Sequence, residues 1–111
     1  MPRSGAWERI LLFMGLRRGF LVSGDSMSPT LNDRDVVLID YKARFAAGDI
    51  VLARHPYKKS VRILKRIERI DEQDRFWLVG DNQAESSDSR TFGAVSKADL
   101  LGKVTSCLRI V

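Results

Sequence analysis

Val61-Arg62-Ile63-Leu64-Lys65-Arg66-Ile67-Glu68-Arg69-Ile70 is rich in isoleucine and comes after a turn signal at His55-Pro56, the profile of a β-strand. In a strand alternate residues share a face. Val61, Ile63, Lys65 and Ile67 then point one way, and Arg62, Leu64, Arg66 and Glu68 the other. Lys65 is the one charged residue on an otherwise apolar face. Burial there disfavours the ammonium form and lowers the lysine pKa towards values useful to a general base. An inward charge that blunts an exposed strand edge would produce the same pattern.

Further runs rich in Val, Ile and Leu lie at 20–22, 35–40, 49–54, 75–79 and 102–110. Gly24, Pro29, Asn32-Asp33, Gly48-Asp49 and the stretch from Gly80 to Gly93 supply turns between them. Ser96 is placed to cap one helical turn through Leu100. Six strands and almost no helix predict a mostly β, single-domain fold: a coiled, largely antiparallel sheet or partial barrel. The domain is expected over 20–111. In the preceding arm, 1–19, Trp7, Ile10, Leu11 and Met14 fall on one face of a short helix.

The chain has 111 residues, 44% hydrophobic and 30% charged, and a net charge of +5. That is one domain with a modest core. The single cysteine, Cys107, excludes an internal disulfide and a cysteine-based zinc site. His55 has no spaced Cys or His partner, so neither a metal nor another cofactor is expected. The apolar run from Ile10 to Leu16 is far shorter than the roughly 20 residues that span a bilayer. Arg17-Arg18 comes next, where a signal peptide would carry small residues. A cytoplasmic protein is the expectation, with peripheral membrane contact through Arg9, Arg17 and Arg18 compatible. Lys58, Lys59, Arg62, Arg66 and Arg69 read as a solvated basic face before a surface for acidic partners, and nucleic acid is not expected as a partner.

Ser26 sits in a second informative segment, Ser26-Met27-Ser28-Pro29-Thr30-Leu31. Gly24 allows an unusual backbone just before it, and Pro29 stiffens the second half of the turn. Such a turn projects a hydroxyl from a strand end into a cleft. A serine hydroxyl is a weak nucleophile until a base takes its proton, and backbone N–H groups around the turn are available to an oxyanion. An ordinary turn, with Asp25 and Ser26 bonding their own backbone, is the plainer account. The third segment is Gly80-Asp81-Asn82-Gln83-Ala84-Glu85-Ser86-Ser87-Asp88-Ser89-Arg90.

In this order the three segments resemble the type I signal peptidase family, over roughly residues 20 to 110. The resemblance implies the catalytic-core fold of that family and a serine–lysine endopeptidase that needs no histidine. It implies that Ser26 is the nucleophile and Lys65, preceding Arg66, the general base. Ser86 would orient the lysine, and Asp88 and Arg90 would form a supporting ion pair. Gly24 and Met27 would support the serine turn. Some members have a serine two positions before the nucleophile that helps hold the oxyanion. Here that position is Gly24, which leaves backbone N–H groups, with that of Ser26 foremost. With no spanning segment and no large insertion, the chain is similar to the short nickel-type superoxide dismutase maturation proteases. Their resemblance implies removal of a short N-terminal propeptide, with the nickel superoxide dismutase precursor as protein partner. General cleavage of secretory precursors, self-cleavage as in repressor C-terminal domains, and a non-catalytic β-module binding acidic or nucleic-acid partners are the alternatives.

Overall fold

The computed structural model describes residues 17–108. The expected helical face at Trp7 to Met14 lies outside these residues. Six strands form one antiparallel sheet: β1 (Arg18–Leu21), β2 (Val36–Asp40), β3 (Ile50–Arg54), β4 (Arg62–Ile70), β5 (Phe76–Val79) and β6 (Leu100–Leu108). Their order across the sheet is β1-β2-β6-β3-β4-β5. The sheet is open, with β1 and β5 at its edges, so the mostly β expectation holds as an unclosed sheet.

The strands are where branched apolar residues recur, and both faces of the sheet are covered. In β3, Ile50 and Leu52 join one buried cluster with Val22, Met27, Leu31, Val37, Ile39, Leu64 and Val104. Val51 and Ala53, pointing the other way, join Ile67, Phe76, Leu78, Phe92, Val95 and Leu100. A central strand buried on both faces reads as a continuous apolar run, and Ile50-Val51-Leu52-Ala53 does. Lys65 lies opposite Val51 in the β3–β4 register and so falls on the face of the second cluster.

Two expectations change at the residue level. β1 starts at Arg18, so its first two residues come from the stretch read as an arm. Ser96 precedes a single 3-10 turn, Lys97–Asp99, and its side chain makes no capping bond. A true helix stands instead in the stretch read as turns: α1 (Ser89–Phe92). The Asp88 side chain caps it by accepting from the Arg90 N–H, and Gly93, at φ 82°, ends it. A 3-10 turn at Gln83–Glu85 precedes it.

Candidate active site

Lys65 is only 4% exposed, in the middle of β4. Its pKa is lowered from the ordinary lysine value, chiefly by burial; the negative charge of Asp88 works against this and Arg90 reinforces it. The ammonium nitrogen donates to Ser86 Oγ at 2.9 Å. Ser86 in turn donates to Asp88 Oδ2 at 3.1 Å.

Asp88 is fully buried, yet it remains a strong acid. Burial pushes its pKa up, but hydrogen bonds from Arg90, Gly80 and Ser86 outweigh this and hold it down at about 2. Arg90 reaches it through Nε and Nη2, each at 2.9 Å, and the Gly80 N–H donates at 3.0 Å. A chain of contacts thus runs Lys65–Ser86–Asp88–Arg90, and helix α1 exists partly because the same carboxylate caps it.

Ser26 sits in the connection between β1 and β2. The Asn82 N–H donates to the Ser26 carbonyl at 2.8 Å, and Asn82 Nδ2 donates to the Asp25 carbonyl at 3.0 Å. Thr30 donates to Asp81 Oδ2 at 2.6 Å, and the Asp81 N–H donates to the Met27 sulfur at 3.4 Å. Met27 and Leu31 are buried beneath the turn, which fastens it to the first apolar cluster. Gly24 has φ 84° and donates its N–H to Asp33 at 2.8 Å. The glycine is there for its backbone: a side chain would have open space, but an L-residue would be strained at that angle.

Ser26, Met27 and Lys65 line one cleft of about 140 Å³ with Phe20, Val22, Ile63 and Leu64. Among the described residues, neither the Ser26 hydroxyl nor its N–H makes a hydrogen bond. The structure therefore brings the serine, the lysine and, through the lysine, the distal box into one place. Such an arrangement has a free hydroxyl, an amine of reduced basicity and an uncommitted backbone donor, which are the parts of an acyl-transfer site.

One clamp escaped the sequence reading. Arg66, facing opposite to Lys65, holds Asp81 through Nε at 2.9 Å and Nη2 at 2.8 Å. Asp81 thereby ties β4 to the serine turn through Thr30. The period of β4 places Arg66 away from Lys65, but nothing local names a partner 15 positions along. The basic face is also partly neutralised: Lys59 pairs with Asp99 at 2.6 Å, and Arg69 lies over the Trp77 ring at 4.3 Å. The His55 ring lies tilted against that of Phe92, with centroids 4.8 Å apart, and Cys107 is buried in the first cluster. Among the described residues no group of three His, Cys, Asp or Glu could hold a metal ion. Nor is any helix there long and apolar enough to cross a membrane.

The chain is 34% identical over 113 aligned positions to mitochondrial inner membrane protease subunit 1 of Xenopus tropicalis, covering 81% of this chain and 66% of that protein. It is 29% identical to mitochondrial ATP-independent inner membrane protease subunit 2 of Arabidopsis thaliana, over 78% of this chain and 55% of the relative. Against mitochondrial inner membrane protease subunit 1 of Homo sapiens the figures are 29%, 76% and 64%. The chain thus spans between about half and two thirds of the length of these relatives. They correct the expectation of a cytoplasmic protein, because they are subunits of membrane proteases. They are also not nickel superoxide dismutase maturation proteases. The peptidase S24-like family matches residues 19–105, which takes in the serine turn, Lys65 and the distal box, and the chain belongs to that family.

Proposed function

We propose that this chain is a serine-type endopeptidase of signal peptidase-like chemistry, in which Ser26 is the nucleophile and Lys65 the general base. The observation that carries the reading is the shared cleft: an unbonded serine hydroxyl and a buried lysine held by Ser86 line the same cavity. Neutral Lys65 keeps an N–H on Ser86 and offers its lone pair to the Ser26 hydroxyl. As Ser26 Oγ bonds to the scissile carbonyl carbon, its proton passes to Lys65. The oxyanion that forms is met by the free Ser26 N–H. Collapse breaks the C–N bond, and Lys65 returns the proton to the leaving amine. Lys65 then takes a proton from water as its oxygen attacks the acyl carbon; the ester bond to Ser26 Oγ breaks, Lys65 returns the proton to Oγ, and the new carboxylate leaves.

The β4 edge offers the place where substrate lies. β5 pairs only with the stretch from Arg66 to Ile70, so Arg62 to Lys65 have a partner in β3 alone. An extended peptide added there would run beside Ser26, with backbone bonds giving affinity. A precursor with an accessible N-terminal extension is the substrate class. The membrane setting of the relatives supports a client presented at a membrane surface. The narrower client, the nickel superoxide dismutase precursor, rests on the sequence resemblance alone. Purified protein is mixed with that precursor and, separately, with a membrane-targeted precursor, and products are read by intact mass. One new N-terminus is expected from a true client, and none with Ser26→Ala or Lys65→Met. Ser86→Ala should retain reduced turnover, since it disorients the base without removing it. Near-full turnover by Lys65→Met would end the dyad reading; cutting of the second precursor alone would end the nickel reading only.

A further inference from the structure

A groove of about 750 Å³ lies at the far end of β4 from the serine turn. Its lining includes Lys42 and Arg44 from the β2–β3 connection, Lys97 from the 3-10 turn, and the apolar side chains of Phe45, Ile70 and Phe76. The rings of Phe45 and Phe76 meet edge to face at 6.3 Å and form its floor. Ile70 is 37% exposed, an uncovered apolar side chain on the wall. Among the described residues Lys42, Arg44 and Lys97 make no ion pair, although six other described cations do. The one carboxylate in the lining, Asp74, does not offset three cations. Lys65 and Ile70 are five strand positions apart, about 17 Å at ~3.4 Å per residue, so this groove is not the cleft of the serine.

We propose that the groove is a docking site for an acidic peptide segment of a protein partner, with one apolar side chain set on Phe45, Phe76 and Ile70 and flanking carboxylates on Lys42, Arg44 and Lys97. Charge complementarity decides the occupant. Three unpaired cations around an aromatic floor repel basic segments and leave a bound carboxylate with a partner on either side of its apolar anchor. The interaction needs no chemistry at Ser26, so it stands or falls apart from the protease reading.

The test uses the full chain carrying Ser26→Ala, which prevents cleavage, and a fluorescein-labelled Glu-Asp-Leu-Asp-Glu peptide followed by anisotropy. Saturable binding is expected, weakening as salt is raised. The variant Lys42→Gln, Arg44→Gln, Lys97→Gln should lose at least tenfold in affinity while keeping its circular dichroism spectrum. A second variant, Lys58→Gln on the other basic face, should bind as the parent does. A Gln-Asn-Leu-Asn-Gln peptide should not bind. Absence of saturable binding, equal affinity in the triple variant, or binding to vesicles of phosphatidylglycerol but not to the peptide overturns the proposal.

Discussion

A lysine that is 4% exposed gives up most of its hydration, and burial lowers the Lys65 pKa from its ordinary 10.5. The linkage has a definite sign. Below the folded-state pKa, the unfolded chain holds the proton without penalty while the folded chain holds it at a cost, so stability is reduced there. The penalty fades as pH rises from that lowered pKa towards 10.5. Lys65→Met should therefore be more stable than the parent at neutral pH by about 1 kcal/mol, in the manner of relieved active-site strain. Ser86 keeps its bond to Asp88, which limits the loss. Urea midpoints at neutral and strongly alkaline pH check this: the gap should narrow at the higher pH, and a variant weaker than the parent at neutral pH would refute the account. Turnover of the parent should rise with pH through the same lowered pKa, because in the proposed mechanism only the neutral amine accepts the Ser26 proton. Gly80 supplies a second test. A Cβ there would stand 2.7 Å from the Ser26 carbonyl oxygen and overlap the Ser86 side chain. Gly80→Ala should cost about 1–3 kcal/mol and lower kcat far more than Ser86→Ala, since it displaces both sides of the site; equal kcat in the two variants would exclude that double role. Lys65 was legible from the strand period, and Ser86, Asp88 and Arg90 from a resemblance in motif. Gly80 and the Arg66–Asp81 clamp were not, because a close approach and a pairing 15 residues apart leave no local pattern.

Strands were the most readable elements, since each β-rich run had to cover one or both faces of a sheet and Gly, Pro or Asp residues marked the ends. Their order was not readable: β6 lies between β2 and β3, a choice made by long-range packing and not by any one segment. Helix α1 was missed because its four residues are too few to show a period. The available signal was the cap pair, Asp88 before it and Gly93 after it. The shortness of β5 has a consequence for substrate. Pairing stops at Arg66–Val79, which leaves the Arg62–Lys65 edge of β4 open beside the cleft. If a substrate lies there as an added strand, removing its backbone donors should weaken binding and leave the chemical step alone. A peptide substrate N-methylated at alternate residues before the scissile bond should show KM raised about tenfold, the effect of one or two lost hydrogen bonds, with kcat kept. Methylation at the intervening residues, whose N–H groups face away, should have little effect. Identical KM values for the two peptides would rule out strand addition.

At the scale of the molecule, the site joins two apolar clusters that lie on opposite faces of one sheet. The serine turn is seated on the first through Met27 and Leu31. The Ser86–Asp88 box is seated on the second, where the Leu78 N–H donates to Ser89 Oγ at 2.8 Å and Phe92 of α1 packs inward. β3 contributes alternate residues to both clusters, so neither can melt while the other keeps its central strand. Leu31→Ala and Leu78→Ala, each emptying a fully buried position, should cost about 2–5 kcal/mol apiece. Unfolding should remain a single transition in both variants, with circular dichroism and tryptophan fluorescence coinciding. Their effects on catalysis should differ. At a temperature where both are folded, Leu31→Ala should lower kcat without moving the pH at which activity rises, because it loosens the proposed nucleophile and leaves the proposed base in place. Leu78→Ala should move that pH upward, because loosening the second cluster admits water around Lys65 and returns its pKa towards that of a free lysine. Two separated transitions would disprove the coupling through β3. The same pH shift in both variants would disprove the assignment of nucleophile and base to separate clusters.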